Sequence, residues 1–64
     1  MEKSTYTHNQ LHAEARRLAK EWRKRRGTAG RLEYWEVEVS DNCTRVIAYV
    51  RRGEVIYKAG CCVI

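Results

Sequence analysis

Apolar and polar positions follow two different periods along this chain, and the change of period separates a helix from a set of strands. Between residues 7 and 26 the large apolar side chains recur every three or four positions, the spacing of one face of an α-helix. From residue 32 onward apolar and polar side chains alternate, which is the period of a β-strand. Turn-forming residues at 40–42 and 51–53 divide this second region, so we predict strands at about 32–39, 43–51 and 54–62.

The predicted helix carries recognisable start and stop signals. Thr7 is a good N-cap, and Gln10 three residues later completes a capping box. Gly27 is the residue type that most often follows a helix, so the helix is expected over about 7–26. Its apolar stripe consists of Leu11, Ala15, Leu18 and Trp22. A stripe of this width has to pack against another element, and the sheet is the element that follows.

Two-residue turns at 41–42 and 52–53 predict the register of an antiparallel meander with the second strand in the centre. Glu38 then lies opposite Arg45, and Val50 lies opposite Val55. Leu32 falls on the face away from the helix in this register, so the first strand contains a bulge or begins two residues later. The face toward the helix holds Trp35, Val37, Val39, Val46, Ala48, Val50, Val55, Tyr57 and Ala59.

These elements predict a small α+β domain over residues 1–64, with one N-terminal amphipathic helix packed on a three-stranded antiparallel meander (αβββ). Trp22 and Trp35 are the largest apolar side chains on the two facing surfaces, so we expect them to meet between helix and sheet. A domain of 64 residues has a small core, and its stability is expected to be marginal or increased by self-association.

Charge provides the first functional hypothesis. The chain carries a net charge of +5, which favours acidic partners such as nucleic acid. Cations cover the helix face opposite the apolar stripe and its last turn: Arg16, Arg17, Lys20, Arg23, Lys24, Arg25 and Arg26. Glu21 is expected to pair with Arg25 at the border of this face. With a single helix preceding its strands, the chain fits no helix-turn-helix or ribbon-helix-helix reader, so we expect phosphate contacts rather than base contacts.

The sheet face away from the helix provides the second hypothesis, because no predicted element covers it. Tyr34 and Tyr49 lie side by side there and could stack unpaired bases, but three glutamates cancel the three cations of this face. A nearly neutral apolar patch with a charged rim is more typical of a protein interface, with homodimerisation its commonest form. The interface residues would be Tyr34, Arg45, Ile47, Tyr49, Ile56 and Lys58.

The two surfaces lead to two functions that the sequence leaves open. The first is a non-catalytic basic module that acts on nucleic acid, or on a complex containing nucleic acid, through the helix. The second is an inhibitor or adaptor that binds protein through the outer sheet face. Small size and the lack of enzyme signatures would fit a phage-type anti-defence protein of the anti-CRISPR kind, although no motif connects the chain to a family.

The remaining residues predict neither catalysis nor a cofactor. Asp41 is the only aspartate and lies in a turn, and no Cys-x-x-Cys motif accompanies His8 and His12, so we expect no metal site. The predicted register puts Cys43 opposite Cys62, where a disulfide is conceivable but strained. Without a secretion signal or a run of ~20 apolar residues, we expect a cytoplasmic protein with free thiols and no membrane partner.

Overall fold

The computed structural model describes residues 6–64, and residues 1–5 of the predicted domain lie outside the described part. The chain forms one helix followed by a three-stranded antiparallel sheet, which confirms the predicted αβββ architecture. The helix α1 spans His8–Arg26, and the strands are β1 (Arg31–Val39), β2 (Thr44–Arg52) and β3 (Val55–Val63). The strand order is β1-β2-β3, so β2 is central and both outer strands are edges. Among the described residues no helix has the length and apolarity that crossing a membrane requires.

Both predicted helix signals are confirmed. The Thr7 hydroxyl accepts a hydrogen bond from the Gln10 backbone N–H at 3.1 Å, and the Gln10 side-chain oxygen accepts one from the Thr7 N–H at 2.8 Å. At the other end Gly27 adopts a left-handed conformation, with φ of 64°, and its N–H donates to the Arg23 carbonyl. Each end therefore satisfies backbone groups that a helix leaves without partners.

The register of the first hairpin follows the prediction, including its irregularity. Glu38 lies opposite Arg45 and Tyr34 opposite Tyr49, and the register shifts between Leu32 and Tyr34. This bulge turns Leu32 toward the helix, where it packs against the core. The bulge thus resolves the conflict between Leu32's apolar character and its position in a regular strand.

The register of the second hairpin differs from the prediction by two residues. Val50 lies opposite Tyr57 rather than Val55, and the turn occupies Gly53 and Glu54 rather than residues 52–53. Gly53 has φ of 66°, and a glycine with positive φ at the first turn position matches a II′ hairpin turn. A turn starting one residue earlier in the I′ form would have required positive φ at an arginine, which is sterically costly.

A second register shift, between Ala48 and Tyr49, changes the end of β3. Cys62 consequently lies opposite Val46 on the helix side of the sheet, whereas Cys43 lies in the loop before β2. The predicted position of Cys43 opposite Cys62 is therefore wrong. All three cysteines of the chain are free thiols in the structure.

The core lies between α1 and the central strand, and it is formed by Ala15, Leu18, Ala19, Trp22, Val46, Ala48, Val50 and Ala59. Trp22 is 3 % exposed, and its ring lies 5.6 Å from that of Tyr57. Trp35 is only partly buried and packs against His8 and His12, with ring centroids 5.3 and 5.8 Å away. The prediction that the two tryptophans meet is wrong, because α1 runs antiparallel to β1 and brings its first turns, not Trp22, beside Trp35.

The helix covers less of its sheet face than the sequence predicted. Val39 is 61 % exposed and Val55 is 50 % exposed, although both were expected in the core. Val37, on the same edge strand as Val39, is also exposed. One helix about 10 Å wide cannot shield both edges of a twisted three-stranded sheet, so apolar side chains at the corners stay in solvent.

Candidate nucleic-acid interface

Three cations form a straight row on the solvent side of α1, and we call Arg16, Lys20 and Lys24 the basic row. They occur at intervals of four residues, so successive members lie one above the other and about 6 Å apart along the helix axis. All three are exposed, and none lies within ion-pair distance of a carboxylate in residues 6–64. The row therefore presents full positive charge to solvent.

Arg17 lies beside the basic row but differs from its members, because its guanidinium contacts two carboxylates. Its guanidinium lies 3.0 Å from a Glu14 oxygen and 3.5 Å from a Glu21 oxygen. The hydrogen bond with Glu14 raises the pKa of Arg17 above its ordinary value. Glu14 and Glu21 thus partly neutralise the predicted cationic face at Arg17, and Glu21 pairs with Arg17 in place of the expected Arg25.

The three arginines of the predicted set that lie near the end of α1 contact the fold itself. Arg23 donates to the Gly30 carbonyl at 3.1 Å, and Arg25 donates to the Ala59 carbonyl at 3.5 Å. The Arg26 guanidinium lies 5.7 Å from the centre of the Trp22 ring. The three arginines stay positively charged, but these contacts order their side chains. They therefore contribute to packing as well as to the positive charge of this surface.

A shallow groove of about 510 Å³ runs between α1 and the edge strand β1. Its lining combines apolar and basic side chains: Ala13, Arg16, Arg17, Ala19, Lys20, Arg23 and Leu32. Leu32 contributes to this groove only because the bulge turns it toward the helix. Four of the seven cations predicted to bind nucleic acid therefore line one concave surface.

Further cations lie where α1 ends, and the predicted set of nucleic-acid-binding residues did not include them. Arg31 lies opposite Arg51 in the β1–β2 ladder, and Arg52 follows at the end of β2. A second hollow of about 470 Å³ is lined there by Ala29, Gly30, Arg31, Arg51, Arg52 and Gly53. We call this the basic end, and its cations are Arg23, Lys24, Arg25, Arg26, Arg31, Arg51 and Arg52. The register across the bulge was the signal that could have placed Arg31 beside Arg51.

Glu33 is the carboxylate that the bulge places among these cations. Its oxygen lies 2.9 Å from the Arg51 Nε, and this hydrogen bond holds the pKa of Glu33 below its ordinary value. The same contact raises the pKa of Arg51. One carboxylate therefore compensates part of the basic end, and Arg31 and Arg52 form no ion pair within the described chain.

The other end of the molecule has the opposite charge. Glu36 and Glu38 lie toward the end of β1, and Asp41 lies in the loop that follows. Arg45 is the cation predicted for an interface in this region, and it lies 3.4 Å from a Glu38 oxygen. We call the region of Glu36, Glu38 and Asp41 the acidic end. Charge is therefore segregated along a molecule whose longest dimension is 43 Å.

The outer sheet face contains a pair of stacked tyrosines. The rings of Tyr34 and Tyr49 lie 4.5 Å apart at an angle of 17°, and the Tyr49 hydroxyl donates to Glu36 at 3.3 Å. Burial, together with the negative charge of Glu36, raises the pKa of Tyr49. The observed register places Lys58 directly opposite Tyr49. A cation thus lies beside the stack, where the predicted register had placed Ile56.

The outer apolar patch is smaller than predicted. Ile47 is only 6 % exposed, although no helix covers it, whereas Tyr34 and Ile56 remain 45 % and 41 % exposed. Glu36 and Cys61 lie opposite Ile47 on the two neighbouring strands, and we attribute its burial to these surrounding side chains. Ile47, one of the predicted interface residues, therefore exposes little surface to a partner.

The cysteines and histidines form no obvious reactive centre in the described residues. The Cys62 thiol donates to Glu14 at 3.5 Å, and burial, together with this carboxylate, raises its pKa, which makes it a poor nucleophile. No group of three or more His, Cys, Asp or Glu side chains in residues 6–64 is arranged to hold a metal ion.

The chain matches no protein-family model, no curated protein and no solved structure. We therefore infer a function from the charges, contacts and burial of this chain's own residues. The helix presents exposed cations along one face, and a groove lined by apolar and basic side chains lies beside it. Such a surface can hold an extended polyanion without a deep pocket.

Proposed function

We propose that this chain is a small non-catalytic module that binds nucleic acid, or a complex containing nucleic acid, through phosphate contacts made by α1. The observation that carries the proposal is the basic row, in which Arg16, Lys20 and Lys24 are exposed and pair with no described carboxylate. Phosphates are the natural partners of such a row, because each contact releases condensed counterions.

The contrast with the other surface cations strengthens this proposal. Arg17, Arg45 and Arg51 each have a carboxylate within 3.4 Å, as expected for charges that a fold balances internally. The basic row instead places like charges four residues apart, which costs a helix roughly 0.2–0.5 kcal/mol per pair. A polyanion laid along the helix would remove this repulsion.

The geometry favours phosphates over base edges as the contacted groups. The groove beside the row is open and shallow, and its polar lining consists of cations. Lysine and arginine side chains on one exposed helix face can follow a backbone of regular charge, but they do not by themselves read a sequence. We therefore expect affinity that depends strongly on salt and weakly on base sequence.

The test replaces the basic row with glutamine (Arg16→Gln, Lys20→Gln, Lys24→Gln) and measures binding to labelled duplex and single-stranded oligonucleotides by fluorescence anisotropy at low salt. Arg23 is left unchanged, because its bond to the Gly30 carbonyl would mix a folding effect with a binding effect. We expect at least a tenfold loss of affinity, and circular dichroism should report an unchanged fold.

Two control variants make this test specific. Arg16→Lys, Lys20→Arg and Lys24→Arg together preserve the charge of the row and should retain the parent affinity. Arg45→Gln removes one cation near the acidic end and should have little effect. Equal affinity of the parent and the glutamine variant, or a parent that binds no oligonucleotide at low salt, would contradict the proposal.

The alternative, an inhibitor or adaptor that binds protein through the outer face, has less support because Ile47 is buried. A homodimer through this face stays a prediction, and Ile56→Glu should separate it into monomers by light scattering. A cytoplasmic location is likewise part of the proposal, since three free thiols suit a reducing compartment.

A further inference from the structure

The tyrosine stack on the outer face is open on one side. Tyr49 covers one face of the Tyr34 ring at a centroid distance of 4.5 Å. Because β1 is an edge strand, no further strand of residues 6–64 covers the opposite face of the ring, and Tyr34 is 45 % exposed. The hydrogen bond from the Tyr49 hydroxyl to Glu36 holds the inner ring of the stack. A flat aromatic group could therefore extend the stack by one member at Tyr34.

Two cations lie near this stack. Lys58 is the cross-strand neighbour of Tyr49, and Arg31 lies opposite Arg51 at the adjacent level of the same face. Glu33, the acid at this level, is engaged by Arg51 at 2.9 Å. Arg31 and Lys58 have no ion-pair partner within residues 6–64. Two cations without an ion pair in the described residues thus lie near the stack, Arg31 on the edge strand β1 and Lys58 on β3, on the far side of Tyr49.

The charges of the outer face are distributed differently from the prediction. The sequence predicted a nearly neutral surface, because three glutamates cancel the three cations of this face. In the structure Arg45 and Glu38 pair at the acidic end of the face. The register of β3 places Lys58 beside the stack, at the other end. The stack therefore has the cations Arg31 and Lys58 nearby, whereas Glu36 is bonded to the Tyr49 hydroxyl and Glu33 is bonded to Arg51.

We propose that Tyr34 is a stacking site for an unpaired base of a single-stranded nucleic acid, with Arg31 and Lys58 contacting the adjoining phosphates. The proposal goes beyond the phosphate contacts of α1, and it rests on the proposed function in taking nucleic acid as the ligand. A duplex hides its base faces within the stack, so this site accepts single strands only. The basic row, which contacts phosphates, accepts both forms.

The experiment compares Tyr34→Ala with the parent by fluorescence anisotropy, using a labelled oligothymidine and a labelled duplex of equal length. Loss of one stacked base should weaken single-strand binding roughly 5- to 150-fold and leave duplex binding unchanged. Tyr34→Phe keeps an aromatic face and should bind as the parent does. Tyr34→Leu keeps apolar bulk without that face and should bind as weakly as the alanine variant.

A matched control is Tyr6→Ala, because Tyr6 is 42 % exposed but lies at the other end of the molecule, just before α1. This variant should leave both affinities unchanged, and thermal melting should report folded protein for every variant. Single-strand binding that is unaffected by Tyr34→Ala, in a parent that does bind, would overturn the stacking site alone. A parent that binds neither oligonucleotide would overturn it together with the proposed function.

Discussion

The two ends of the molecule differ in both charge and packing. At the basic end Trp22 is 3 % exposed and packs between Tyr57 and the Arg26 guanidinium. At the other end Trp35 is only partly buried, and it packs against His8 and His12. Trp22 is therefore more deeply buried than Trp35, and it lies at the end that carries most of the cations.

This difference indicates how a small domain can carry a strongly charged surface. Mutual repulsion among the cations of the basic end opposes folding locally, so the packing beneath them must be strong. Their side chains also assist that packing, since Arg23 and Arg25 donate to backbone carbonyls of the loop before β1 and of β3. At the acidic end Arg45 pairs with Glu38.

The largest expected effect is the loss of Trp22. Trp22→Ala should cost ~3–5 kcal/mol, which is comparable to the whole stability of a domain this small. Trp35→Ala should cost roughly half as much, because its ring is only partly buried. Urea unfolding followed by circular dichroism compares the two variants. Equal losses would contradict the difference in packing between the two ends.

A smaller effect is expected where the loop before β1 passes under Trp22. A Cβ atom at Gly30 would lie 2.7 Å from a Val50 methyl carbon and 2.8 Å from the Trp22 ring. Gly30→Ala should therefore cost ~1–3 kcal/mol through overpacking. Ala29→Ser, at the exposed neighbouring position, serves as the control and should melt with the parent. An alanine variant as stable as the parent would mean that this end is packed less tightly than described.

The smallest effect concerns Glu33, which pairs with Arg51 at the basic end. The pKa of Glu33 is lowered in the folded protein, so the pair stabilises the fold above the ordinary glutamate pKa of about 4.5 and loses this effect as pH falls. Glu33→Gln should be slightly less stable than the parent at neutral pH, and the two should converge in acid. Thermal melting at several pH values checks this, with the exposed Glu54→Gln as the control. A constant difference at every pH would argue against the ion pair.

The elements set by neighbouring residues were predictable from the sequence. The capping box of Thr7 and Gln10 depends on a three-residue spacing, and the left-handed Gly27 depends on one residue type. The bulge before Tyr34 was signalled by Leu32, which a regular strand would have exposed. Local rules were sufficient at these positions because the interacting groups lie within a few residues of one another.

The features that depend on the second hairpin were not predictable in the same way. Gly53 can occupy either central position of a two-residue turn, and the choice shifts every partner along β3. That shift decides whether Lys58 or Ile56 faces Tyr49. The burial of Ile47 depends in turn on which side chains surround it. The candidate surfaces therefore required the structure, although most of their residues were identifiable beforehand.

The most direct test of the account is the salt dependence of oligonucleotide binding, measured for the parent and for the variant with glutamine at Arg16, Lys20 and Lys24. Each duplex phosphate contact contributes ~0.9 to the slope of log affinity against log salt. If the basic row makes three such contacts, the parent slope should be steeper than that of the variant by about 2.7. Equal slopes, or a parent without measurable affinity at low salt, would contradict the proposal that the basic row binds phosphates.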